Sequence, residues 1–241
     1  MKVAILAGGR GSRLGALGKE RPKGLVEIGG EPILGHLMRY YAGFGFDQFV
    51  VALGYLGEMI SEYLATSPWN TTAVDTGLDT ETGGRIKRLA PYLGSETFML
   101  TWTDGLADID LAALLRFHRA HGRLATLTAV QPPIAFGSLR LEEGGRVQEF
   151  VEKKPLSDQW INGAFFVLEP EVFDYIEGDD TRWEHGPLPR LARDGQLMAY
   201  RHPGFWQCMD TPQQHADMER LWQSGEAPWM ASEKLVAGSL I

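Results

Sequence analysis

Apolar residues fall into short runs separated by turn residues, and between those runs the apolar spacing widens to that of a helix. Val3–Leu6, Phe49–Leu53 and Phe98–Trp102 are almost wholly apolar, which predicts strands buried on both faces. Each run ends in a turn signal: Ala7-Gly8-Gly9, Gly54 and Thr103-Asp104-Gly105. Three helices are predicted between and after them. Pro32 opens one with Ile33, Leu34, Leu37, Met38 and Tyr41 on its apolar side before Gly43, Tyr55–Leu64 carries a second, and Asp110 caps a third that Gly122 closes. Strands alternating with helices predict a parallel sheet covered on both faces.

The second half has a different pattern. Leu124–Val130 and Ile161–Leu168 read as strands, and Ser138–Leu141 with Arg146–Val151 flank Glu142-Glu143-Gly144-Gly145 as a hairpin. Gly204–Met209 is strand-like, and Thr211-Pro212 opens a last helix with Met218, Leu221 and Trp222 on one side. The expected fold class is therefore α/β: a Rossmann-like, mostly parallel but mixed sheet flanked by helices, with antiparallel additions in the second half. Residues 1–230 form one expected domain, and residues 231–241 a tail of uncertain order.

Composition narrows the chemistry. No apolar run approaches the roughly 20 residues of a membrane-spanning helix, and Gly-rich polar sequence follows the first strand too soon for a secretory signal. Cys208 is the only cysteine, which excludes an internal disulfide or a zinc–cysteine cluster and points to a reducing, cytoplasmic setting. The net charge of −8 argues against nucleic acid or an anionic membrane as partner. Yet Arg10, Arg13, Lys19, Arg21 and Lys23 share a stretch whose one acid is Glu20. A local cation excess on an acidic chain suits a small, highly charged anion such as a polyphosphate.

The segment Leu6-Ala7-Gly8-Gly9-Arg10-Gly11-Ser12-Arg13-Leu14, with Arg21-Pro22-Lys23 downstream, fits that reading. Glycines after a first strand let backbone N–H groups cradle an anion, and Arg13 and Lys23 can add charge from either side. The dinucleotide fingerprint fails because Leu14 stands where its third glycine belongs, and the Walker A loop fails because Arg13 and Glu20 replace a glycine and a Ser/Thr. Asp104 and Asp210 each follow a strand-like run, where open α/β sheets place ligands. Two converging carboxylates suit a hard divalent cation over phosphates, although each Asp taken alone also fits a cap or turn. The six histidines have no metal-binding spacing, and Cys208 fits a small buried residue better than a nucleophile.

These motifs resemble the signature of the sugar-phosphate nucleotidyltransferases. Val74-Asp75-Thr76-Gly77, Thr82-Gly83-Gly84-Arg85, Phe136-Gly137, Glu152-Lys153, Ile161-Asn162-Gly163 and Gly204–Thr211 are most similar to the glucose-1-phosphate cytidylyltransferase branch. The resemblance implies the nucleotidyltransferase fold and transfer of a cytidylyl group from CTP to glucose 1-phosphate, with Mg²⁺ as cofactor and a homo-oligomeric assembly. It implies nucleotide contacts from Leu6, Ala7, Gly8, Gly9, Gly11, Ser12, Arg13, Lys23, Thr82, Gly83, Arg85 and Thr103, with Arg85 donating to the base. It implies sugar-phosphate contacts from Asp104, Gly137, Glu152, Lys153, Asn162 and Gly163, metal ligation by Asp104 and Asp210, and catalytic roles for Arg13, Lys23 and Lys153. Lys154 competes with Lys153, and the spacing to Ile161-Asn162-Gly163 favours Lys153.

Three departures stand out: Ser12 for the usual Thr, Gly24 for the Pro that follows the lysine, and a shortened stretch between Tyr63 and Pro68. The second predicts a looser loop around Lys23; the third bears on oligomeric assembly and the sugar pocket. A different sugar 1-phosphate or UTP as substrate, and a catalytically silent nucleotide-sugar binder, are the alternative readings. Joint retention of Arg13, Lys23, Asp104, Lys153 and Asp210 speaks against the silent binder.

Overall fold

The computed structural model describes residues 1–131, 137–152 and 159–230. The chain begins with β1 (Lys2–Leu6), α1 (Ala16–Glu20), the short hairpin β2 (Glu27–Ile28) and β3 (Glu31–Pro32), and α2 (Ile33–Ala42). Then follow β4 (Gln48–Leu53), α3 (Gly57–Thr66), β5 (Asn70–Asp75), α4 (Thr82–Leu93), β6 (Phe98–Trp102), β7 (Gly105–Ala107) and α5 (Leu111–His121). The second half comprises β8 (Ala125–Val130), β9 (Ser138–Leu141), β10 (Val147–Val151), β11 (Ile161–Leu168), α6 (Pro187–Arg193), β12 (Leu197–His202), β13 (Trp206–Cys208) and α7 (Pro212–Gln223).

Seven strands form the central sheet in the order β12-β8-β11-β6-β1-β4-β5. β1 pairs in parallel with both β4 and β6, whereas β11 runs antiparallel to β6 and β8, so the sheet is mixed as expected. The chain leaves β1 for β4 and β5 on one side and then crosses to β6 on the other. That reversal is a topological switch point, and it opens a crevice beyond the carboxyl ends of β1 and β6.

Alternation along the buried strands divides the core in two. Val3, Ile5, Phe49, Val51 and Met99 pack with α2, α3, α5 and α7, while Ala4, Leu6, Val50, Ala52 and Leu100 pack with α4, α6 and Trp183. This is why β1 and β4 show no polar alternation in the sequence. Asp110 caps α5 by accepting from the Ala113 N–H, and Gly122 ends it in the left-handed conformation (φ 61°), as the sequence predicts. The β9–β10 hairpin is also present, in antiparallel register.

Two elements escape the hydrophobic pattern. β5 is an edge strand with mostly exposed side chains, and α4 opens with Gly83-Gly84 and carries Pro91 inside it, so neither looks like its class. Thr82–Arg85, three of whose residues the resemblance gives to the nucleotide, forms the first turn of α4. The shortened stretch is a tight connection: α3 ends at Thr66, and β5 begins at Asn70. Among the described residues, no helix is long and apolar enough to cross a membrane. The expected tail at 231–241, Phe136 and the competing Lys153 and Lys154 lie outside the described residues.

Candidate active site

A crevice of about 430 Å³ lies beyond the ends of β1 and β6. Its floor is the glycine loop, where Gly8 and Gly11, with Gly18 of α1 beside them, have distinct reasons to lack a side chain. A side chain at Gly8 would land 2.2 Å from an Arg85 guanidinium nitrogen, and one at Gly18 would land 2.4 Å from the Gly11 carbonyl. Gly11 itself is left-handed (φ 59°) and its carbonyl accepts from the Leu14 N–H at 3.0 Å. The loop therefore presents backbone to the crevice at Gly8, Gly9 and Gly11, between the side chains of Arg10, Ser12 and Arg13, which lets an anion approach closely.

Lys23 stands at one end of the crevice. Its ammonium donates to Asp104 Oδ2 at 2.6 Å and to Asp210 Oδ1 at 2.5 Å, and Arg13 reaches the same Asp210 oxygen at 3.0 Å. The Lys23 side chain is 12% exposed, against 25% and 19% for the two aspartates. Burial alone would lower the Lys23 pKa, but the paired carboxylates outweigh it and hold the pKa above the ordinary lysine value. Residues from the end of β6, the start of α7 and the loop after β1 thus meet although they are far apart in sequence. Gly24 does not loosen this lysine: the Leu25 N–H bonds to the Pro22 carbonyl at 2.8 Å and the Val26 N–H to that of Lys23 at 3.2 Å, closing a turn packed on Thr103.

Asp210 is not the cap of the last helix; its neighbour is. Thr211 is the cap of α7, accepting from the Gln214 N–H while the Gln214 side chain accepts from the Thr211 N–H. This capping box leaves the Asp210 carboxylate free to face Lys23. Asp104 and Asp210 converge on a single cationic atom, so the pair is already disposed to share a cation. Among the described residues no cluster of three or more Asp, Glu, His or Cys side chains could hold a metal ion; an ion on this pair would be a hard one that takes few protein oxygens and completes its shell with phosphate and water.

The opposite wall of the crevice is Leu78–Thr82 with Arg85, and Trp102 and Thr103 line it from β6. Of the expected nucleotide-contacting residues, Leu6, Gly8, Gly9, Gly11, Ser12, Arg13, Lys23, Thr82, Arg85 and Thr103 line the crevice; Ala7 and Gly83 do not. Arg85 is buried, and one guanidinium nitrogen donates to the Leu53 carbonyl at 2.8 Å and to Thr76 Oγ1 at 2.7 Å, the other to the Leu78 carbonyl at 3.1 Å. Most of its donors therefore tie strand ends together beneath the glycine loop. Leu78–Glu81 and Trp102 are lining residues that sequence reasoning missed. The turn at Asp75-Thr76-Gly77, where the Gly77 N–H bonds to Asp75 Oδ1 at 2.9 Å, was the available signal, hidden because β5 was unrecognised.

Of the expected sugar-phosphate residues, Asp104 lines the crevice, whereas Gly137, Glu152, Asn162 and Gly163 lie outside its lining. Asn162 Oδ1 accepts from the Ala164 N–H at 2.9 Å in a bulge where Ala164 takes φ 61°. The Gly163 carbonyl accepts from the Trp206 indole at 2.8 Å, linking the bulge to β13, whose Cys208 and the following Met209 lead to Asp210. Glu152 folds over Gly137, where a side chain would come within 2.9 Å of Glu152 Oε2.

Comparison with known proteins agrees with this geometry. Residues 2–207 match the nucleotidyl transferase family. A glucose-1-phosphate cytidylyltransferase of Salmonella typhi is 45% identical over 258 aligned positions, covering 97% of this chain and all of the relative. A probable glucose-1-phosphate cytidylyltransferase of Bacillus subtilis is 40% identical over 95% of this chain and 99% of its own. The first alignment is longer than the 241 residues here, so this chain lacks residues that the relative has. In fold, it is similar to HddC from Yersinia pseudotuberculosis complexed with GMP-PN (TM-score 0.73, 22% identity, 92% of this chain and 99% of that one). It is also similar to a UDP-glucose pyrophosphorylase complexed with UDP-glucose (TM-score 0.72, 16% identity, 93% and 98%). With a switch-point crevice, a glycine loop and near full-length similarity to these relatives, the chain belongs to the nucleotidyl transferase family.

Proposed function

We propose that the protein transfers a cytidylyl group from CTP to α-D-glucose 1-phosphate, giving CDP-glucose and pyrophosphate. The observation that carries this reading is the 45% identity over nearly the full chain to a glucose-1-phosphate cytidylyltransferase. The charged end of the crevice supports it independently, because it supplies what the reaction needs.

A phosphate oxygen of the sugar phosphate attacks the α-phosphorus of CTP. A new P–O bond forms, the bond from the α-phosphorus to the bridging oxygen breaks, and pyrophosphate leaves with that electron pair. The attacking oxygen is already ionised near neutral pH, so no general base is required. The barrier is electrostatic and entropic: one polyanion must meet another in line. The glycine loop receives the triphosphate on bare backbone, and Arg13 and Lys23 balance its charge as it departs. Asp104 and Asp210 would hold Mg²⁺, which when bound neutralises phosphate charge and aligns attacking and leaving oxygens. Glu152, Asn162, Gly137 and Gly163 are proposed to meet the sugar, with Lys153 on its phosphate. The working partners are the two substrates, in a cytoplasmic homo-oligomer.

The test is pyrophosphate release with Mg²⁺, CTP and glucose 1-phosphate, run beside UTP and a chelator. Metal-dependent release with CTP well above UTP is expected. Release with UTP alone, or none with either nucleotide in folded protein, would overturn the proposal.

A further inference from the structure

One segment outside the crevice is bound to its wall more closely than packing requires. Residues 178–184 form a strap across the start of α4. The Glu81 N–H bonds to the Asp179 carbonyl at 2.9 Å, and the Gly83 and Gly84 N–H groups bond to the Thr181 carbonyl at 2.8 and 3.2 Å. A helix start normally leaves its first amides to water, a capping side chain or a ligand. Here the strap's backbone takes them.

Side chains reinforce the junction. Thr82 Oγ1 donates to Glu184 Oε2 at 2.7 Å and accepts from the Trp183 N–H at 3.0 Å, so its hydroxyl is committed to the strap although Thr82 lines the crevice. Arg88 grips Asp179 through two bonds, at 2.8 and 2.6 Å. Trp183 is fully buried beside Phe166 of the central sheet, which anchors the strap to the core. Gly83 and Gly84 are glycines because the strap lies on them: a side chain at Gly84 would sit 2.5 Å from the Asp179 carbonyl oxygen, and one at Gly83 2.7 Å from that of Thr181.

The charged end of the crevice takes the triphosphate, which leaves the wall at Leu78–Thr82 for the base. We infer that the strap 178–184 is a positioning element for nucleotide selection, holding the Leu78–Thr82 wall at the distance that accepts one base, with Glu184 as a positioning residue acting through Thr82. The inference rests on the proposed reaction, and none of the strap residues lines the crevice. Fixing a wall by backbone bonds limits the rearrangement through which a near-isostere of the base could be accommodated.

Gly84→Ala adds one methyl group outside the crevice and must displace the strap. It is expected to raise the KM for CTP about tenfold and to narrow the CTP-over-UTP preference, with kcat within about threefold and the KM for sugar phosphate unchanged. Glu184→Ala is expected to raise the KM for CTP about threefold, and Glu184→Gln, which still accepts from Thr82, to restore it. A KM and selectivity equal to the wild type in both folded alanine variants would overturn the inference, as would a loss confined to kcat. If Gly84→Ala does not fold, the Glu184 pair decides by the same criteria. If the wild type releases no pyrophosphate, the proposed reaction falls, and the strap is judged by CTP affinity in calorimetry. Weaker binding in the alanine variants then supports it; equal affinities, or no binding to the wild type, overturn it.

Discussion

The two ends of the crevice are built from different materials. At the Lys23 end, four charged side chains, Arg13, Lys23, Asp104 and Asp210, meet within hydrogen-bond distance. At the Thr82 end, main-chain carbonyls over glycines hold the wall in place, reinforced from outside the crevice by Glu184 on Thr82 and Arg88 on Asp179. Charge interacts with charge that develops during reaction, whereas a fixed wall acts on shape before reaction. The difference suggests a division of labour, with turnover governed at one end and recognition at the other.

The strongest attempt to break that division is Lys23→Ala. Removing the one cation shared by Asp104 and Asp210 should lower kcat by about 100-fold or more, roughly 2.7 kcal/mol of barrier, with the KM for CTP changed far less. Steady-state kinetics on protein with an unchanged circular dichroism spectrum checks it, and a pure KM effect would erase the contrast. Arg85→Met tests the boundary between the ends. It strips donors from the Leu53 and Leu78 carbonyls and Thr76, so urea unfolding should show a loss of about 2–4 kcal/mol. Arg85→Lys should recover little, since an ammonium on one stem cannot span those acceptors.

A smaller effect is expected from Arg13→Ala. Arg13 is largely exposed and touches only one oxygen of Asp210, so kcat should fall about tenfold. Smallest is a chemical signature at Cys208. Burial, followed by the charges of Asp210 and Asp104, raises its thiol pKa. A raised pKa means less thiolate at a given pH. Alkylation by iodoacetamide at pH 8 should therefore be slower than for free cysteine, and the rate should still climb above pH 9. A plateau below pH 8.5 would show that burial and the neighbouring carboxylates together do not raise the thiol pKa.

Much of this was legible along the chain because it rests on local chemistry. The apolar runs of β1, β4 and β6, the Asp110 and Gly122 boundaries of α5, and the β9–β10 hairpin all follow from burial and turn preferences. α4 was hidden because two of its first three residues are glycines, Gly83 and Gly84, which leave room for the strap that lies on them and disfavour a helix. Asp210 was ambiguous between cap and ligand until the Thr211–Gln214 capping box took the first role. The resemblance makes Arg85 a base donor, and the fold gives its guanidinium further partners that no residue type announces: the Leu53 carbonyl at the end of β4, and Thr76 and Leu78 in the loop after β5.

The sequence by itself determined the class of sheet, the glycine loop after the first strand, and a polyphosphate-suited cluster of cations with two candidate aspartates. These depend on residues close in the chain or on side-chain chemistry that needs no partner. Only the tertiary structure decided that Lys23 bridges Asp104 and Asp210, that Thr82 turns its hydroxyl to the strap, and that Gly83 and Gly84 yield their space to it. Those outcomes depend on backbone atoms, which every residue shares, and on contacts spanning 81 to 187 positions. No local pattern of side chains encodes which carbonyl will arrive beside which amide.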